Sequence, residues 1–257
     1  MTLVWASGYN GITDPDAQTY IAAVEAADGQ AIEGDVALAI NDFVVGCKTD
    51  GIWDAIKASC ILAGARTLSG ALVPLKGTAP TNFNFVAGDY NRETGLVGDG
   101  STKYLNSNRN NNSDPQNSKH LSVYVTAGSS GSGQAYIGAD GGLTGASGIF
   151  RSGFVRVHSG SGATVANAGV ASGLFGASRS VSSSFTTRYN GVNESFSLSS
   201  QTPSNRLLTV FAMDNQGSMI SYSSDRLAFY SIGESLDLAK LDTRVSNLMT
   251  AIGAAIP

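Results

Sequence analysis

The chain has 257 residues, a net charge of −4 and a charged fraction of 14%, well below the roughly 25% of an average soluble protein. So sparse a charge leaves no electrostatic footprint for nucleic acid or an anionic membrane surface, and neither is expected as a partner. The length allows one large β domain with a small appendage, or two ordinary domains. No window approaches the roughly 18 apolar residues of a membrane helix, and Met1-Thr2-Leu3-Val4-Trp5 carries no basic leader, so secretion by that route is not expected.

Up to residue 68 the apolar spacing is helical. Asp14-Pro15-Asp16 offers an N-cap with proline in the first turn, Tyr20, Ile21, Val24 and Ala27 share a face, and Asp28-Gly29 ends the helix. A second stripe follows in Val36, Ile40, Phe43, Val44 and Cys47, and a third in Ile52, Trp53, Ile56, Cys60 and Ile61. The reading is an N-terminal segment and three-helix unit over 1–68, whose short stripes must pack on each other or on a β domain. Phe43 and Trp53 read as core filling.

Beyond residue 68 the pattern becomes strands separated by turn residues, expected at 71–75, 82–86, 103–106, 119–126, 134–137, 149–158, 180–189, 191–198, 206–214 and 226–232. Leu121, Val123 and Val125 alternate with Ser122, Tyr124 and Thr126, which gives a sheet with one buried face. Asn190-Gly191 is a hairpin turn. The tracts 106–117, 128–133, 141–148 and 159–173, rich in Gly, Ser, Ala and Asn, read as loops. Leu236, Leu238, Leu241, Val245, Leu248, Met249 and Ile252 form the stripe of a terminal helix begun by Asp237 beside Ser235, able to cover the sandwich or to face a partner subunit. The fold class is therefore mainly β: an antiparallel β-sandwich over 69–257, preceded by a helical unit and closed by a C-terminal helix.

Chemistry is sparse along the chain. Cys47 and Cys60, on expected helical segments, admit a disulfide, buried thiols or a metal site; buried free thiols are expected, since zinc would want four ligands and His120 and His158 stand isolated in or beside strands. Sandwich glycosidases place acids alternately along one strand. Here the only Glu-x-Asp pair, Glu33 and Asp35, falls in the helical unit, and Asp225, Glu234 and Asp237 merely flank the last strand. Gly128-Ser129-Ser130-Gly131 lacks the strand–helix context of a nucleophile elbow, and the run Gly98 to Lys103 lacks the order of a phosphate loop. Asp89, Asp99, Asn106, Asn108 and Asp114 offer oxygens suited to calcium, but Asx turns are the expected use. No catalytic, cofactor or metal residue is assigned, and no enzyme is expected.

Three runs carry a resemblance: Gly98-Asp99-Gly100-Ser101-Thr102-Lys103-Tyr104-Leu105, Arg188-Tyr189-Asn190-Gly191-Val192 and Arg226-Leu227-Ala228-Phe229-Tyr230-Ser231-Ile232-Gly233. In that order they resemble strands of laminin-G-like or concanavalin-A-like jelly rolls. The ending from Glu234 through Ile252 and the leader segments 23–30 and 63–68 resemble copies carried by tailed bacteriophages. The resemblance implies a virion structural protein, either a decoration or cement protein on the capsid or a tail or fibre component. The absence of catalytic groups favours the first, an assembly module, homo-oligomeric and trimeric by preference, that docks on the capsid lattice through the helical unit or through Trp5 and Tyr9. Its alternative is a tail or fibre module binding host glycan, with Tyr124, Tyr136, Tyr189 or Tyr222 stacking on sugar rings; half-buried sandwich positions are the plainer use of those tyrosines.

Overall fold

The computed structural model describes residues 10–129, 133–142, 145–166 and 172–256; Trp5, Tyr9, Ser130 and Gly131 lie outside them. In chain order the helical part comprises α1 (Pro15–Asp28) and α2 (Gly34–Thr49), and β1 (Ile56–Ile61), α3 (Leu68–Ala71) and β2 (Thr81–Phe83) follow. The middle of the chain supplies β3 (Tyr90–Asn91), β4 (Gly95–Val97), β5 (Tyr104–Asn110), β6 (Lys119–Ala127), β7 (Ala135–Asp140), β8 (Ala146–Phe150), β9 (Phe154–Ser159) and β10 (Ala163–Thr164). The last third holds β11 (Gly173–Arg179), β12 (Phe185–Tyr189), β13 (Val192–Phe196), β14 (Leu207–Val210), β15 (Met213–Asn215), β16 (Ser218–Ile220), β17 (Arg226–Gly233) and α4 (Leu238–Ala255).

The strands form two sheets. The first runs β13-β12-β11-β6-β17-β4-β3, with β1 also paired to β17; the second runs β10-β9-β8-β7-β14-β5-β2, with the β15–β16 hairpin on β7. All described pairings between these strands are antiparallel except β15 with β7. One core, built on Leu105, Leu121, Val123, Ile137, Phe175, Val210 and Tyr230, fills the space between the sheets. A second core lies on the outer face of the first sheet, where Leu174, Ala228 and Phe229 meet Val24, Phe43, Val44, Leu241, Val245 and Ile252 of the helices. The molecule is thus a sandwich with a helical layer on one face.

Local chemistry explains the helix ends. Asp14 accepts from the backbone N–H groups of Asp16 and Ala17, Pro15 opens α1, and Gly29 closes it at φ 68°, a left-handed turn that costs glycine least. Asp237 caps α4 through Ala239 and Lys240, while the Ser235 backbone N–H donates to Ser118 Oγ instead. Leu238, Leu241, Val245, Leu248, Met249 and Ile252 are all buried, so the α4 stripe faces its own sheet and α2. At roughly 1.5–3 kcal/mol per buried large apolar side chain, that stripe is a main anchor of the helical layer.

The third expected helix does not form. Residues 53–55 make one 3-10 turn, and Ile56–Ile61 is a strand whose partners on β17 run from Gly233 to Phe229. Cys60 therefore sits on a strand, not on a helix. The expected strand at 71–75 is instead the end of α3 and a turn, and 180–184 is irregular. The run 149–158 is a hairpin, β8 to β9, turned at Gly153 with φ 82°, and 206–214 is broken between β14 and β15 at Phe211 with φ 69°. The tracts expected as loops hold structure too: β5 reaches Asn110, β8 begins at Ala146, and β10 lies within 159–173. The largest omission is β11, a strand inside the first sheet.

Candidate functional site

Three of the four tyrosines considered for ligand stacking are spent on packing. Tyr136 and Tyr189 are buried against Phe175, with ring centroids 6.5 and 4.7 Å away, and Tyr124 packs beneath the helices. Tyr222 is different. It meets Tyr104 edge-on at 6.2 Å, and Tyr104 stacks on Phe83 at 4.3 Å with the planes 6° apart.

The strand register produces this ledge. β2 is the outermost strand of the second sheet, and Phe83 is the cross-strand partner of Tyr104 on β5, a spacing at which aromatic pairs touch. Tyr104 covers one face of the Phe83 ring. Phe83 is 37% exposed, unusual for an aromatic on a strand. Asn84, at φ 67°, ends the strand and donates from Nδ2 to the Thr102 carbonyl at 3.0 Å, which ties the ledge to the 99–103 turn. The Tyr104 and Tyr222 hydroxyls make no hydrogen bond among the described residues.

Lys103 pairs with Asp89 at 2.5 Å, and Asp89 also accepts from the Val86 backbone N–H. Burial, then Tyr222 and the charge of Asp214, raise the Tyr104 phenol above its usual value, which places Asp214 within electrostatic reach.

The oxygen-rich residues 89–114 do not converge. Asp99 accepts from the backbone of Ser101, Thr102 and Lys103, and Asn106 accepts from Asn108: both are Asx turns. Burial pushes the Asp99 carboxyl up, but the Thr102 hydroxyl and these backbone N–H groups hold it well below the carboxylate range. Asp114 lies elsewhere, fully buried, taking Lys119 Nζ at 2.6 Å together with Arg109. Although burial pushes its carboxyl up, Lys119 and Arg109 hold it below the usual range; burial in turn pulls Lys119 down to about 8 against the attraction of Asp114.

The remaining sequence candidates are structural. His120 donates from Nδ1 to the Glu234 carbonyl at 2.6 Å, so its neutral ring accepts at Nε2 from Ser231. His158 lies between the carbonyls of Gln116 and Asn111, each 3.0 Å away. Burial pushes both histidines down to about 4. Cys47 and Cys60 are buried free thiols that burial pushes up to about 12, with Cys60 Sγ 3.4 Å from the Tyr230 hydroxyl.

Glu33 binds Arg66 and Arg92, joining the start of α2 to the β3–β4 turn, while Asp35 is exposed in the first turn of α2. Asp225 pairs with Arg151 and Glu234 with Lys57. These two acids flank β17 at opposite ends, roughly 30 Å apart at strand rise, far beyond the separation at which two carboxylates share a glycosidic bond. Trp53 is buried, its indole under Lys76 Nζ at 4.4 Å. Phe43 packs edge-on against Phe229.

Sequence reasoning singled out Tyr222 but not Phe83 or Tyr104. The available signal was Phe83 itself, an aromatic between two asparagines, where an edge strand would otherwise be wholly polar.

No protein-family model and no curated protein matches the chain. Among solved structures it is similar to the NanB sialidase of Streptococcus pneumoniae, with a TM-score of 0.40 and 13% identity over 57% of this chain and 27% of that one. It is similar also to the botulinum neurotoxin serotype D binding domain, with a TM-score of 0.46 and 11% identity over 76% of this chain and 51% of that one. The chain thus spans about a quarter of the first and half of the second. At these identities the likeness is one of sandwich fold alone.

Proposed function

We propose that this chain is a non-catalytic binding module of a bacteriophage particle, and that the Phe83–Tyr104–Tyr222 ledge is its contact surface for host glycan. The observation that carries the reading is Phe83, 37% exposed on an edge strand and stacked on Tyr104. A preorganised exposed aromatic plane costs packing energy and returns it when a flat apolar surface covers it. Most of the acids that the sequence singled out, and both histidines, are engaged in pairs, caps and turns, which supports a role without bond making or breaking. The phage setting rests on the resemblance of the strand order and helical ending.

A glycan array probed with the full chain tests the reading: the native protein is retained and Phe83→Ala is not. Equal retention of both sinks it.

A second reading, decoration of a capsid lattice by an oligomer of this chain, is favoured by one feature. Leu38 and Val45 are each 37% exposed on α2 beside a cleft of about 480 Å³ between α2 and α4, away from the sandwich. Loading onto particles stripped of accessory proteins separates the readings: under this one Leu38→Asp abolishes it and Phe83→Ala does not.

A further inference from the structure

We propose that residues 1–9 of this chain dock in the cleft between α2 and α4, with Trp5 as the side chain that fills it. The site is independent of the glycan ledge, which belongs to the second sheet, whereas the cleft lies in the helical layer on the outer face of the first. Its volume is about 480 Å³, and Phe43 and Leu248, each 2% exposed, line it together with Ala39 and Ala251. The same two alanines also line a neighbouring hollow beside Leu38, so cleft and hollow run on from one another along the α2–α4 seam. Leu38 and Val45 stand at the rim, each 37% exposed on a helix whose other large apolar side chains are buried. Apolar surface gathered in this way marks a docking site.

The chain itself leads to this opening. Asn41, 4% exposed on α2, accepts the backbone N–H groups of Thr13 and Asp14 at 3.0 and 3.1 Å. Gly11 then lies against Leu38, so close that a Cβ on it would sit 3.4 Å from Leu38 Cδ1. Followed back from Asp14, the chain thus runs along α2 from Asn41 to Leu38 and arrives at the hollow with residues 1–9 still to place. Met1-Thr2-Leu3-Val4-Trp5-Ala6-Ser7-Gly8-Tyr9 carries no charged side chain, so its entry into an apolar cleft desolvates no charge. The reach suffices. From Asn10 to Trp5 is about 16 Å of extended chain, and from Leu38 to Val45 is about 10 Å of helix. An indole offers a flat apolar body with one N–H, and Asp42, which lines both cleft and hollow, is an acceptor for it. A segment tethered at the mouth also outcompetes a free partner, because the tether holds it at high effective concentration.

The experiment uses the full chain with a cysteine pair, Leu3→Cys with Val45→Cys, oxidised in air beside a control pair, Leu3→Cys with Ile220→Cys on the second sheet. Cys47 and Cys60 are buried and do not compete. A bridge within one chain, read by peptide mass after proteolysis, should form at least about tenfold faster for the Val45 pair than for the control. Acrylamide quenching of Trp5, measured in a Trp53→Phe chain, is the second readout. There Val45→Asp should raise the quenching severalfold and leave the circular dichroism signal unchanged, because Val45 stands at the rim. Bridges that join two chains mean that the cleft takes the segment of a second copy, and they overturn the proposal. A Val45 pair no faster than the control overturns it too, as does a Trp5 quenched in the native chain as fully as in urea.

Discussion

Asp114→Asn should be among the most damaging polar substitutions in the molecule. The Asp114 and Lys119 side chains are both fully buried, and the carboxylate also receives Arg109, which is 21% exposed. Asparagine keeps the volume and removes the charge, so Lys119 is left as a buried ammonium without a counter-ion. Breaking such a pair from one side costs about 3–5 kcal/mol. For a chain of this size each kcal/mol moves the midpoint by about 2–4 °C, so the thermal midpoint should fall by roughly 10 °C. The double variant Asp114→Leu, Lys119→Met removes both buried charges and leaves Arg109 to turn to solvent, so it should recover most of the loss. Calorimetry on the three proteins reads both effects. A midpoint shift under about 2 °C for Asp114→Asn, or a double variant no better than the single, would refute the assignment of this pair as a buried, mutually dependent unit.

Stability should also respond to acid through His120. Its folded pKa, about 4, lies below the ordinary 6.5, so the unfolded chain takes the proton first as pH falls. The native state therefore loses about 3 kcal/mol from this group between pH 6.5 and 4, and keeps it above pH 6.5. Urea titrations of native protein and His120→Gln should diverge only in that window; parallel curves would contradict the buried neutral ring. Cys47 and Cys60 should resist Ellman's reagent in the native state and react together once urea unfolds the chain; native labelling of either would show that its burial is incomplete. Leu248→Asp, at a site 2% exposed, should abolish the folded circular dichroism signal, whereas Val192→Asp, 65% exposed, should change stability by under about 0.5 kcal/mol. A folded Leu248→Asp that has lost only an oligomer would mean that the α4 stripe faces a partner.

Periodicity and caps made α1, α2, α4, β6, β17 and the Asn190-Gly191 hairpin legible, because their signals are local. Asn190 at φ 49° and Gly191 at φ 74° are the turn that the dipeptide announces. Strand β1 was illegible for a physical reason. It lies between the helical layer and the sandwich core, five of its six residues are buried, and its side chains show no in–out alternation. Ile56, Cys60 and Ile61 then imitate a helical stripe, and only hydrogen bonds to β17, about 170 residues away, decide for a strand. β11 was hidden by composition. Gly176 sits where a Cβ would come within 2.8 Å of Leu238 Cδ2, so the small residue that made the strand resemble a loop lets the α4 side chain pack close on the sheet.

The same division runs through the ledge. The amino-acid sequence by itself determined that strands would carry Phe83 and Tyr104 and that an amphipathic helix would end the sandwich. Only the tertiary structure decided that Phe83 stacks on Tyr104, that Tyr136 and Tyr189 are consumed by the core, and that Asp114 is locked between Lys119 and Arg109. Periodicity and capping are written in neighbours along the chain, whereas strand register, edge position and desolvation arise between residues tens to hundreds of positions apart, and no local pattern encodes them.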